Sequence, residues 1–109
     1  MKYSIKQFKQ DVLACIELSE KELADRRKGI NGESTIDQIE NTILPDLNRV
    51  LKIIEQEELP PQQDRYLVSF AYAFRVWGWD MQNPTELYIK LSKLNEHYKD
   101  IGEETVSST

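Results

Sequence analysis

Side chains suited to chemistry are scarce in this chain, which has one cysteine, Cys15, and one histidine, His97. A reactive thiol needs a base or a cationic cluster beside it, and Ala14, Ile16 and Leu18 offer neither. Cys15 therefore reads as a small buried hydrophobe, and as the only cysteine it can form no internal disulfide. One histidine excludes any site that needs two, including the paired histidines of a helical metalloprotease. His97 flanks an apolar seam without a companion nucleophile in its segment, so a structural role is expected.

Carboxylates are plentiful. Asp37 with Glu40, and Glu17 with Glu20, have the three-residue spacing that puts two acids on one helix face, as a carboxylate-only magnesium or manganese site would require. The Glu-x-x-His pair of di-metal bundles does not occur, and charged helix faces produce such acid pairs routinely. Gly29, Gly32, Gly78 and Gly102 all fall at expected helix ends, and Gly29-Ile30-Asn31-Gly32 lacks the lysine and hydroxyl that follow a phosphate-binding loop. The expectation is no catalytic residue, no metal site, no cofactor and no enzyme activity.

Two charged residues interrupt apolar stripes: Glu40 among Ile36, Ile43 and Leu47, and Lys9 among Ile5, Val12 and Ile16. If the first two helices form an antiparallel hairpin, Glu40 comes near Arg26 or Arg27 and an ion pair accounts for it. Lys9 can lay its stem on the core with its amine in water. The alternative is that one of them lines a polar pocket.

The elements that must position these groups are helices. Ser4 with Gln7, Thr35 with Gln38 and Asn83 with Glu86 each have the spacing of a capping box. The first predicts a helix over 5–28 that buries Ile5, Phe8, Val12, Ile16 and Leu23 and ends at Gly29 and Gly32. The second starts near Ile36, presents Ile36, Ile39, Ile43, Leu47, Val50, Leu51 and Ile54 on a broad face, and is kinked or broken at Pro45 before Leu59-Pro60-Pro61 closes it. A third, over 62–77, carries Tyr66, Leu67, Phe70, Phe74 and Trp77 on its core stripe, with Val68, Tyr72 and Arg75 on the far side. Its Ser69, Ala71 and Ala73 are small enough to admit a neighbour. The fourth, capped by Asn83 with Pro84 in its first turn, buries Leu87, Leu91, Leu94, Tyr98 and Ile101. The predicted fold is all-α, an antiparallel bundle of four helices: a single helical domain over 1–102 followed by a polar tail over 103–109.

Composition narrows the function. With 39% hydrophobic and 30% charged residues, the chain is too apolar for disorder and too polar for a membrane protein. No apolar run nears the roughly 20 residues that span a bilayer, and Met1 to Lys6 leads into no secretory segment, so a cytoplasmic protein is expected. A net charge of −5 disfavours nucleic acid, and the basic cluster Arg26-Arg27-Lys28 suits a helix C-terminus.

What remains is recognition. The segment Tyr66 to Asp80 holds six of the ten aromatic residues. Trp79 follows the helix-ending Gly78 and either folds back over the bundle end or stands out as an anchor. Asp37 and Glu40 are expected at the same end. The partner-binding set is Asp37, Glu40, Tyr72, Arg75, Trp79 and Asp80. The leading expectation is a small protein-binding module of the immunity or antitoxin type that neutralises a basic, nuclease-type toxin. The alternatives are a carboxylate-based metal- or ligand-binding bundle and a homo-oligomeric regulatory bundle joined through Ile53, Tyr72 and Ile89.

Overall fold

The computed structural model describes residues 4–101, and those residues are all-helical with no strand. Helix α1 (Ile5–Arg27) starts where expected, the Ser4 hydroxyl accepting from the Gln7 N–H at 3.0 Å. Its 23 residues rise about 35 Å. It buries Phe8, Val12, Cys15, Ser19 and Leu23, whereas Ile5 is exposed and Ile16 half-buried. Ser19 is tolerated inside because its hydroxyl donates to the Cys15 carbonyl at 2.8 Å. Gly29 ends the helix at φ +87°, and the Ile30 N–H closes back onto Asp25 O.

Thr35 makes both bonds of a capping box with Gln38, at 3.1 and 3.0 Å, and opens a helical region that runs without a gap to Glu55. It comprises α2 (Ile36–Gln38), a π-helical segment (Ile39–Ile43) and α3 (Leu44–Glu55). Pro45 does not break it. A proline ring clashes with the carbonyl four residues back, and widening the preceding turn to a five-residue repeat relieves that clash; the Leu44 N–H accordingly donates to Ile39 O. Ile39, Ile43, Leu47, Val50 and Ile54 are buried along this region, Leu51 is half-buried, and Ile36, expected on the same face, is 38% exposed in the first turn.

The third helix is much shorter than expected. After Pro60 and Pro61 comes one 3-10 turn (Gln62–Asp64), then extended chain, and α4 spans only Val68–Arg75. The extended piece crosses the end of the last helix, where Arg65 donates to the carbonyls of Pro60 and Ile101, each at 2.7 Å, and Gln62 donates to Lys99 O at 2.7 Å. Helix α5 (Glu86–Asp100) is capped by Thr85, whose hydroxyl accepts from the Tyr88 N–H at 3.2 Å. Asn83 and Pro84 lie before that start instead of at the cap and first turn, because the Asn83 N–H is held in the turn made by Asp80.

Helix α1 packs against α3 and α5, and α4 packs against α5 and the π-helical segment. Eighteen buried apolar residues form one core cluster, from Phe8 on α1 to Ile101 beyond α5. Each large one contributes about 1.5–3 kcal/mol through the surface it withdraws from water. Among the described residues no helix is long and apolar enough to cross a membrane. Gly102 and the segment 103–109, expected as a stop and a tail, lie outside the described residues.

Candidate functional site

Helix α4 buries only part of its expected core stripe, and its far-side Tyr72 and Arg75 are exposed as expected. Its buried residues are the small Ser69 and Ala73, and Leu67 just ahead of it is also buried. Of the predicted core stripe, Tyr66 is 51% exposed and Phe74 45% exposed, with Phe70 and Trp77 half-buried. Tyr72 is 42% and Val76 65% exposed on the other side. The reason lies at the helix start. Leu67 has no capping side chain, so neighbours supply one: the Asp46 carboxylate on α3 accepts from the Ser69 N–H at 2.9 Å and from the Ser69 hydroxyl at 2.8 Å, and the Asn95 side chain on α5 accepts from the Leu67 N–H at 2.7 Å. These three bonds draw the start of the helix inward, and within α4 the small Ser69 and Ala73 fill the closest approach.

Asp46 is buried, its other oxygen accepting from Arg49 at 2.7 Å. Sequence reasoning missed it. An acid directly after a proline reads as a first-turn residue of its own helix, and only the fold brings Ser69 to it.

The rings form a continuous arc. Tyr72 stacks on Trp77 at 5.7 Å between centroids, Trp77 lies 5.5 Å from Trp79, and Trp79 meets Tyr88 edge-on at 6.1 Å. Tyr88 then stacks on Phe70 at 5.7 Å and Phe70 on Phe74 at 6.0 Å. The middle is buried and both ends are exposed. Trp79 is 5% exposed, so it covers the core and is not a protruding anchor; burial of its large ring outweighs an indole N–H left without a partner among the described residues. Two grooves flank the exposed ridge of α4. One, of about 410 Å³, is lined by Tyr66, Leu67, Phe70, Phe74 and Asn95; the other, of about 240 Å³, by Tyr66, Val68, Tyr72 and Val76; Ala71 and Arg75 line both.

The acidic members of the expected set are held by their neighbours. Glu40 pairs with Arg27, as the stripe pattern predicted, and Asp37 accepts from the Asn41 amide. The Asp80 carboxylate accepts from the backbone N–H groups of Gln82 and Asn83 at 2.9 and 3.2 Å, while its own N–H donates to Glu33 at 2.7 Å. That last bond ties the loop before α2 to the loop after α4. Lys9 reaches Glu55 at 3.6 Å. Of the six residues, Tyr72 and Arg75 share one surface, with Tyr66, Phe74 and Val76 as members that the stripe count assigned to the core or passed over.

Elsewhere the chemistry is muted. Burial pushes the Cys15 thiol up to about 12, with Lys90 pulling slightly the other way, so it stays protonated and inert at neutral pH. Among the described residues no three His, Cys, Asp or Glu side chains stand close enough together to hold a metal ion. Of the residues suggested for a self-interface, Ile53 is half-buried while Tyr72 and Ile89 are exposed. No family model matches this chain, and neither does any curated protein or solved structure.

Proposed function

We propose that this protein is a small stoichiometric protein-binding module that makes contact through the exposed face of α4. The observation that carries the proposal is the exposure of Tyr72 and Phe74 on one short helix, with Tyr66 just before it and Val76 just after it, around Arg75, while the small Ser69 and Ala73 face the core. An apolar patch of this kind, mounted on a rigid scaffold and containing aromatic rings and an arginine, has the make-up of a binding hot spot. In its most specific form the module is an immunity or antitoxin-type inhibitor acting in the cytoplasm, whose net charge of −5 suits a basic, nuclease-type toxin better than nucleic acid. The proposal includes an antiparallel four-helix bundle. Lys9 pairing with Glu55, and Arg27 with Glu40, are the contacts expected when the first two helical regions run in opposite directions.

The test is coexpression with the product of the reading frame immediately upstream, followed by a binding titration. The protein should restore growth and bind that product. The double variant Tyr72→Ser/Phe74→Ser should weaken binding at least about thirtyfold, in keeping with the loss of two aromatic anchors. Leu13→Ser, an exposed apolar position on α1, should leave binding unchanged. A harmless upstream product that does not bind would sink the inhibitor reading, and a double variant that binds like the parent would sink the α4 face.

A further inference from the structure

Resting on the binding-module reading, we infer that the α4 face receives a partner segment that carries a carboxylate flanked by apolar side chains. The overall charge of −5 favours a basic partner in bulk, but the local charge at this face has the opposite sign. Arg75 is the one charged residue lining both grooves, and it is exposed. No carboxylate among the described residues lies within ion-pairing distance of it, although Arg26, Arg27 and Arg49 each have one. The remaining lining is aliphatic or aromatic apart from Asn95, whose amide oxygen accepts from Leu67, and the uncharged phenols of Tyr66 and Tyr72.

The rings to either side fix what can dock. Phe70 and Phe74 stack on one flank of the ridge and Tyr72 and Trp77 on the other, and Ala71 leaves a low point between them, one helical turn before Arg75. A segment crossing that low point sets an apolar side chain into each groove and brings the group between them to the guanidinium. A guanidinium fork matches a carboxylate in two parallel hydrogen bonds and stacks on aromatic faces, so a carboxylate is the complementary group. A cationic segment would meet like charge there. A mainly basic partner is compatible with this, since only the docking segment needs the acid.

The probes are three capped tripeptides, acetyl-Leu-Glu-Phe-amide and its Gln and Lys counterparts, titrated into isotope-labelled protein. The amide signals of Ala71 and Phe74 and the side-chain Nε–H of Arg75 report the site. The Glu peptide should move those signals and bind about three- to fivefold tighter than the Gln peptide, the scale of one exposed ion pair. Arg75→Gln should erase that difference and Arg75→Lys should retain part of it. Equal affinity for Glu and Gln, or preference for Lys, overturns the carboxylate while leaving a binding face in place. No movement with any peptide overturns the docking segment itself, and the growth and titration assay then stands as the separate test of the module. Movement of the same signals with protein concentration alone would replace the partner segment with a second copy of the chain.

Discussion

At the scale of single residues, Asp46 and Glu40 show how differently two acids of similar sequence context can weigh. Glu40 meets Arg27 at the surface, where an ion pair contributes roughly 0.2–1 kcal/mol. Asp46 is buried and satisfies both the backbone and the hydroxyl of Ser69. Its removal leaves helix-start donors unpaired in the interior, at about 1–3 kcal/mol, and also removes a cap. Asp46→Ala should therefore cost about 2–3 kcal/mol in urea unfolding and speed hydrogen exchange at Ser69 and Phe70, while Glu40→Gln should cost under about 1 kcal/mol. Equal costs for the two would contradict this assignment. The pairing of Glu40 was legible in the sequence because it needed only the register of two helices. The partner of Asp46 was not, because it depends on where a distant third helix begins.

At the scale of elements, helix ends decide most of what the sequence predicts well or badly. Helix α1 ends at Gly29 in the left-handed region, and α3 ends in the same way at Glu57, with φ +55° and the Glu58 N–H closing onto Ile53 O. A side chain in that conformation costs about 1–2 kcal/mol. Glu57→Gly should stabilise the protein by about 0.5–1 kcal/mol after the added freedom of the unfolded chain is counted, and Gly29→Ala should destabilise it by about 1 kcal/mol, both read from unfolding midpoints. A Glu57→Gly variant less stable than its parent would show that the carboxylate side chain matters more than the backbone there. The caps at Ser4 and Thr35 were legible because each is closed by residues three positions apart. Asn83 had the same spacing, but Asp80 captures its N–H in a turn, and Thr85 takes the role instead. For α4 the aromatic count gave the phase of the helix without the face it buries, since capping by Asp46 and Asn95 overrode the preference for burying large rings.

At the scale of the whole molecule, the core responds to alkali. The Cys15 thiol is raised from its ordinary 9.0 to about 12, chiefly by burial. Burial likewise raises the Tyr98 hydroxyl, against the opposing pull of Arg49 and Arg65. Both groups hold their protons more tightly folded than unfolded, so their contribution is fully present below the unfolded values and is lost as pH rises through the folded ones. Stability should fall above about pH 9, with Cys15 alone accounting for about 2 kcal/mol at pH 10.5. Cys15→Val should flatten that fall in urea titrations at pH 8 and 10.5, and a variant with an unchanged slope would count against burial as the cause. The all-helical class was legible from periodicity and caps, which are local. Of the exposed face, Tyr72 and Arg75 were legible as the side opposite the core stripe, whereas Tyr66, Phe74 and Val76 were not, because exposure depends on the whole. The arc of rings has an optical corollary. Both tryptophans of the chain sit in it, their centroids 5.5 Å apart and their planes inclined at 37°, close enough for the two indole transitions to couple. The folded protein should show a paired positive and negative ultraviolet circular-dichroism band that Trp79→Phe abolishes. Because Tyr72 stacks on Trp77, that signal would give an unlabelled reading of any molecule that settles on α4.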